Sequence, residues 1–207
     1  DPNSGLGYVR DLQAKLDELG AGRIASVMGR YYGMDRDKRW DRNERAWNAI
    51  VEADATRADD ALAAIQASYD EGVTDEFMLP VVLTGDRVED GDSIFFWNFR
   101  ADRARQLTWA FMDPEFEGWG PARRPQVNYL TMTPYDERLA GVPSVFTPEQ
   151  PHNSLAEVFA QHGIRNLRTA ETEKYAHVTY FFNGGREDPW PHEVRKLVPS
   201  PKVATYD

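Results

Sequence analysis

The sequence contains no cysteine, and this absence excludes several kinds of chemistry. The 207 residues offer no thiol for a disulfide, a thiolate metal site or a cysteine nucleophile. No run approaches the roughly 20 apolar residues of a membrane-spanning helix. The first residues, DPNSG, lack both an initiator Met and the basic start and apolar core of a signal peptide. We therefore expect a cytoplasmic protein without membrane contact, and a piece of a longer chain.

Basic residues are also too few for a nucleic-acid partner. The chain has 24 Lys+Arg against 34 Asp+Glu, a net charge of −10, whereas binding to phosphate backbones depends on a basic surplus. The distribution is uneven, because residues 22–45 hold seven basic and four acidic side chains. An arginine-rich island in an acidic protein predicts a local site for a small anion.

The spacing of apolar residues predicts alternating helices and strands, and therefore an α/β fold. Helices are predicted at about residues 6–19, 41–53, 58–69, 100–111, 154–162 and 173–182. Strands are predicted near residues 23–28, 80–83, 93–99, 127–132 and 166–169. The strand at residues 93–99 is almost entirely apolar, so we expect it to be buried on both faces. The final run, residues 196–207, holds no complete structural unit.

Prolines at positions 143, 148 and 151 predict a connection between two domains. We place one domain at residues 1–146, a hinge at 147–152 and a second domain at 153–207. The apolar faces of the second domain are expected to have their natural partners outside the chain.

The segment GRYYGMDRD, residues 29–37, follows a predicted strand. Ligands usually bind where strands end in an α/β sheet. Arg30 and Arg36 can each bind a carboxylate or phosphate through two parallel hydrogen bonds, while Gly29 and Gly33 let the backbone turn tightly. The alternative is a solvated helix face of Arg/Asp pairs, and for Arg30 and Arg36 both interpretations stay open. We favour that alternative for three further arginines: Arg39, Arg42 and Arg45.

A second segment, NFRADRAR at residues 98–105, brings arginines to the start of a predicted helix. Backbone N–H groups at a helix N-terminus favour an anion, and Arg100 and Arg103 would add to that preference. Asp102 could orient one of them. Because arginine at a helix start is otherwise unfavourable against the helix dipole, we favour a functional interpretation here.

Other candidates give weaker signals. Lys174 and His177 lie one helical turn apart in ETEKYAH, for which a salt-bridged helix start is the ordinary explanation. There is no GxSxG nucleophile elbow and no GK[ST] phosphate loop. Metal-ligand spacing such as HExxH is absent among the four histidines: His152, His162, His177 and His192.

Four segments together resemble the cofactor-independent (2,3-bisphosphoglycerate-independent) phosphoglycerate mutase family: GRIASVMGRYYGMDRDKRWDR, DGDSIFFWNFRADRARQLT, AETEKYAHVTYFFNGG and VPSPKVATYD. The resemblance implies an inserted substrate-binding domain with a mixed, curved sheet flanked by helices, followed by an incomplete α/β segment of a phosphatase-like domain. It implies the glycolytic and gluconeogenic interconversion of 3-phosphoglycerate and 2-phosphoglycerate through a phosphoserine. It also implies two Mn²⁺ ions and no 2,3-bisphosphoglycerate cofactor.

The resemblance also assigns residues. It implies that Lys174 reaches the substrate phosphate from the phosphatase-like side. The family's serine nucleophile and metal ligands match no position of this chain, so we expect it to be inactive without the missing remainder of the phosphatase-like domain. The alternatives are an anion-binding module or a related metal-dependent phosphotransferase acting on another phosphomonoester. Substrate contacts are implied for six further residues: Arg30, Arg36, Arg100, Ala101, Asp102 and Arg103.

Overall fold

The structure is a computed structural model that describes residues 1–147 and 151–201. Helices and strands alternate along the chain, which confirms the predicted α/β class. In these described ranges the strands form small sheets flanked by helices. The chain divides into two compact units, Asp1–Thr147 and Pro148–Asp207, and each is described by itself.

The first unit contains a mixed sheet and a parallel pair of strands. Its helices are α1 (Gly5–Leu19), α2 (Arg30–Gly33), α3 (Trp40–Trp47), α4 (Ala61–Asp70) and α5 (Ala101–Met112). Its strands are β1 (Ser26–Val27), β2 (Thr56–Arg57), β3 (Val81–Val82), β4 (Ser93–Phe96) and β5 (Asn128–Thr131). Strand β3 is antiparallel to β1 and parallel to β2, whereas β4 pairs in parallel with β5. A 3-10 turn follows at Glu137–Leu139.

Helix α1 has its predicted extent, but tertiary contacts cap its N-terminus. Ser4 makes no side-chain cap hydrogen bond. Instead, the carboxylate of Asp75 accepts from the backbone N–H of Gly5 at 2.8 Å, and the hydroxyl of Tyr69 accepts from that of Leu6 at 3.2 Å. Tyr69 also donates to Asp75. The start of α1 is therefore fixed to the segment that follows α4.

The core of the first unit forms where α3 packs against α5 and β5. Helix α3 continues as a π-helical turn, Asn48–Glu52, and together they bury Trp47 and Val51 completely. The rings of Trp47 and Phe111 lie 4.4 Å apart between centroids. Trp47 belongs to α3 and Val51 to the π-helical turn, so both parts contribute to the core. Such turns are rare in helices. The sequence predicts this region as one helix at residues 41–53.

Strand β4 is less buried than the sequence predicts. The expectation of a strand at residues 93–99 buried on both faces is wrong, because β4 ends at Phe96 and alternates exposed with half-buried residues. Trp97 and Phe99 beyond it are 76% and 64% exposed. In the described part of the chain β4 pairs only with β5, and its alternating exposure is typical of a strand with one face open to solvent.

The second unit contains a parallel pair of strands and two short helices. These are α6 (Leu155–Gln161), β6 (Asn166–Glu171), α7 (Thr172–Ala176) and β7 (Glu193–Val198). Helix α7 continues as a π-helical turn, His177–Phe181. Residues 196–198, in the run expected to hold no complete structural unit, are the end of β7, a strand that the sequence analysis did not predict and whose six residues all pair with β6. Residues 202–207 lie outside the described residues.

The described residues of the second unit bury little apolar surface. Ala156 is fully buried, but Leu167, Phe181 and Val194 are 60%, 61% and 58% exposed. Over the described ranges of both units, no helix is long and apolar enough to cross a membrane.

The fully buried Val51 tests the core of the first unit. Replacing it by alanine removes two methyl groups from a site without solvent access, so Val51→Ala should lower the free energy of unfolding by about 2 kcal/mol. Urea unfolding followed by tryptophan fluorescence measures this. Val145→Ala, at a position 48% exposed, is the control and should change stability by less than about 0.5 kcal/mol. Equal effects of the two substitutions would contradict the assigned core.

Candidate anion-binding site

The first arginine-rich segment forms a helical turn after β1, where the sequence predicts a loop. Gly29 precedes α2, and its N–H donates to the carbonyl of Met78 at 2.8 Å. The N–H of Tyr31 donates to the carbonyl of Glu76 at 3.0 Å. A Cβ at position 29 would lie 2.2 Å from that same carbonyl oxygen. Glycine at position 29 is therefore required for the contact between two stretches of main chain, and this contact places Arg30.

A buried carboxylate organises the loop between α2 and α3. Asp35 is 3% exposed, and its Oδ2 accepts the backbone N–H groups of Asp37 and Arg39 at 2.9 and 3.0 Å. Its Oδ1 accepts from Nη1 of Arg42 at 3.3 Å, and the Arg42 guanidinium lies over the ring of Tyr31 at 3.6 Å. These contacts fix the backbone on both sides of Arg36.

For Arg42 the expected pair with a nearby aspartate is present, but the expected exposure to solvent is not. Its side chain is 21% exposed because it lies between the ring of Tyr31 and the buried carboxylate of Asp35. Arg39 enters the same network through its backbone N–H, while its side chain is exposed. Arg45 lies 5.9 Å from the ring centroid of Tyr32. Arg42 thus holds the loop in place through Asp35 and Tyr31.

The second arginine-rich segment begins α5, as the sequence predicts. Arg100 is the N-cap residue, and its carbonyl accepts from the side-chain amide of Asn98 at 2.7 Å. Ala101 is the first helical residue and is half-buried. The hydroxyl of Tyr135 donates to the carbonyl of Phe96 at 3.0 Å and also to that of Asn98. The connection from β4 into α5 is therefore held by side chains that bond its backbone.

Two contacts join α5 to the loop after α2. Nη1 of Arg36 lies 3.3 Å from Oδ2 of Asp102, and Nη1 of Arg103 donates to the carbonyl of Met34 at 3.0 Å. Asp102 therefore orients an arginine, but one from the other segment. The two arginine-rich segments, 66 residues apart at this ion pair, meet in the fold.

The electrostatics show that three arginines share one region. Burial lowers the pKa of Arg103, the positive charges of Arg30 and Arg36 lower it further, and the carboxylates of Asp102 and Glu76 oppose the shift. Arg30 is itself paired with Glu76, with 2.9 Å between Nη2 and Oε2. An added anion would stabilise such a cluster of arginines, because a guanidinium group can bind a carboxylate or phosphate through two parallel (bidentate) hydrogen bonds.

The remaining sequence candidates are Arg100 and Lys174. Arg100 is exposed, and its described hydrogen bond is made by its backbone. Lys174 is an exposed residue of α7 in the second unit. In residues 1–147 and 151–201, no group of three or more His, Asp or Glu side chains is arranged to hold a metal ion. The described residues therefore do not fit a metal centre.

Three supporting residues escaped the sequence analysis. Glu76 pairs with Arg30 across 46 residues of chain, and no local spacing indicates such a contact. Asp35 and Tyr31 lie within the first motif, but their roles depend on the path of the loop. Only the position of Asp35, in a glycine- and arginine-rich stretch that follows a strand, could have indicated a loop-capping carboxylate.

The fold and the arginine cluster define an α/β protein whose candidate anion-binding site is this group of arginines. Residues 1–137 match the model of the family described as "BPG-independent PGAM N-terminus". This match covers more than half of the chain, and the chain belongs to this family.

Individual relatives agree with the family match. Two of them are 2,3-bisphosphoglycerate-independent phosphoglycerate mutases from Salinibacter ruber, 49% identical over 217 residues, and Myxococcus xanthus, 53% identical over 213 residues. In each case the alignment covers 100% of this chain and 41% of the relative. The chain therefore spans about two fifths of the length of the curated relatives it matches.

A solved structure gives the same result. The chain superposes on phosphoglycerate mutase from Leishmania mexicana, studied at low cobalt concentration, with a TM-score of 0.76 and 34% sequence identity. The match covers 97% of this chain and 40% of that chain. The resemblance seen in the sequence motifs is therefore confirmed.

The glycine before α2 provides a test of how the site is built. Gly29→Ala places a Cβ against main chain that cannot move aside easily, so the free energy of unfolding should fall by roughly 1–3 kcal/mol. Gly85→Ala is the matched control, because nothing lies within 4 Å of a Cβ built there. Urea unfolding compares the two variants. If Gly29→Ala is as stable as Gly85→Ala, the close backbone contact is not present in solution.

Proposed function

We propose that this chain supplies the substrate-binding part of an enzyme that interconverts 3-phosphoglycerate and 2-phosphoglycerate. The observation that carries the proposal is the meeting of Arg30, Arg36 and Arg103 in one region of a chain of this family. A phosphoglycerate has one carboxylate and one phosphate, and both groups match the planar donor fork of arginine. The activity in the names of the relatives and the positive charge of the arginines therefore both indicate a phosphoglycerate as the ligand.

Each residue of the site has a role in this proposal. Arg30, Arg36 and Arg103 bind the two anionic groups, and Asp102 orients Arg36 through their 3.3 Å contact. Arg100 adds a further guanidinium, and the backbone N–H of Ala101 is directed outward at the start of α5. None of these groups takes part in bond breaking. Their contribution is to hold the glycerate in a fixed orientation during transfer, which lowers the entropic part of the barrier.

Lys174 is proposed to bind the substrate phosphate from the phosphatase-like part of the enzyme. This role requires Lys174 and the arginines to lie in different domains. We propose a substrate-binding domain at residues 1–146, a hinge at 147–152 and a phosphatase-like segment at 153–207. A hinge between two such domains allows closure around the substrate, and closure excludes water that would hydrolyse a phosphoenzyme.

The rest of the reaction is assigned to the whole enzyme. We propose a serine that accepts the phosphoryl group and returns it to the other hydroxyl of the bound glycerate, with no 2,3-bisphosphoglycerate as cofactor. We propose two Mn²⁺ ions, a cytoplasmic location and a place in glycolysis and gluconeogenesis. The described residues form no metal-binding group. We propose that the metal ligands belong to the remainder of the phosphatase-like domain, which is the partner of this chain.

Binding of 3-phosphoglycerate tests the proposed substrate site directly. The chain should bind this ligand in isothermal titration calorimetry, and Arg103→Met should weaken binding by about 10- to 100-fold, because a charge-assisted hydrogen bond contributes roughly 1.5–3 kcal/mol. Arg10→Gln, which removes an exposed arginine of α1, is the control for net charge and should bind like the unchanged chain. Loss of binding in both variants alike would show that only net charge matters.

The chain by itself should not catalyse the mutase reaction. Its described residues provide no metal-binding group, and we assign the serine nucleophile to the remainder of the enzyme. An assay that couples 2-phosphoglycerate formation to enolase, with Mn²⁺ present, measures this. Metal-dependent turnover by the pure chain, abolished in Arg103→Met, would contradict the division of roles.

A further inference from the structure

Glu76 has a fixed position beside the arginine cluster, although it lies in the turn after α4. Its carbonyl accepts the N–H of Tyr31 at 3.0 Å, and the neighbouring Phe77 packs on the ring of Tyr31 with 5.3 Å between centroids. The carboxylate of Glu76 then accepts from Nη2 of Arg30 at 2.9 Å. The main chain on both sides of this ion pair is therefore held, and the contact does not depend on two freely moving side chains.

The ion pair between Arg30 and Glu76 remains accessible to a ligand. The two side chains are 52% and 39% exposed, and exposed ion pairs add little to stability. The contact uses one nitrogen of Arg30 and one oxygen of Glu76. A ligand that offers two oxygens to the same guanidinium can replace this contact with a stronger one.

The surroundings make Glu76 a competitor of incoming anions. It acts electrostatically on Arg103 as well as on Arg30. A cavity of about 420 Å³, large enough for a small molecule, opens beside the pair. An anion that enters it meets acidic side chains next to the guanidinium of Arg30. The cavity is lined by Asp1, Pro2, Arg30, Thr74, Asp75 and Glu76.

We propose that Glu76 sets the affinity threshold of the site: it acts as a built-in counter-anion of Arg30, and an incoming anion must displace it. The inference rests on the proposed function of the site and adds a cost that every anion must overcome to bind there. A ligand with one anionic group gains little by displacing Glu76. A phosphoglycerate meets the same cost but regains it through contacts with further arginines, so it still occupies the site at concentrations at which a ligand with one anionic group does not.

Glu76→Gln tests this role, because the amide has the same shape and keeps an acceptor for Arg30 but loses the charge. Calorimetric titrations at low ionic strength would use inorganic phosphate and 3-phosphoglycerate as the two probes. Removing a negative charge a few ångströms from the bound anion should lower the dissociation constant for phosphate by about three- to tenfold. The dissociation constant for 3-phosphoglycerate should fall by a similar factor, because both ligands displace the same carboxylate.

Glu71→Gln is the matched control, since it removes the same charge from an exposed residue five positions earlier. It should leave both dissociation constants unchanged. A second measurement needs no variant: the ¹³C signal of the Glu76 carboxylate in the unchanged chain should shift when phosphate is added. A carboxylate signal that does not respond, or phosphate affinity in Glu76→Gln equal to or weaker than in the unchanged chain, overturns the inference.

The two proposals fail in different ways. If the unchanged chain binds 3-phosphoglycerate and Glu76→Gln alters neither constant, the role of Glu76 is wrong and the substrate site stands. If the unchanged chain does not bind 3-phosphoglycerate but Glu76→Gln gains affinity for phosphate, the counter-anion role stands and the proposed substrate is wrong.

Discussion

The whole arginine site depends on one close contact between two stretches of main chain. The turn after α4 approaches the start of α2 so closely that position 29 has no room for a Cβ, and two backbone hydrogen bonds join Gly29 and Tyr31 to that turn. This contact sets the direction of α2 and places Arg30 beside Glu76. Because backbone bonds hold both sides, the position of a long, flexible guanidinium is determined by the fold.

A second set of contacts connects the loop after α2 to α5. The buried carboxylate of Asp35 fixes the loop after α2, and the loop then offers the carbonyl of Met34 to Arg103 and Arg36 to Asp102. Each bond takes up part of an arginine's donor capacity. The like charges of the cluster are therefore held together by carbonyls and carboxylates in the absence of a ligand, and remain able to bind one.

Sequence reasoning succeeded where the signal is local. The α/β class and the extent of α1 and α5 follow from apolar spacing, since each helix shows its own periodicity. The predicted burial of β4 was wrong, because an apolar run does not reveal whether another element will pack on each face of the strand. Glu76 was missed because its contact with Arg30 forms only after a distant turn has met α2. The burial of Arg42 was missed because it depends on the path of the loop that brings Tyr31 and Asp35 to either side of its guanidinium.

The central claim is that the two arginine-rich segments form one site for phosphoglycerate, and a crystal structure of this chain with 3-phosphoglycerate tests it most directly. The account predicts guanidinium nitrogens of Arg30, Arg36 and Arg103 at about 3 Å from oxygens of a single bound ligand, with the Glu76 carboxylate displaced from Arg30. A ligand bound elsewhere, or held by one segment while the other keeps its contacts to Glu76 and Asp102, would contradict it.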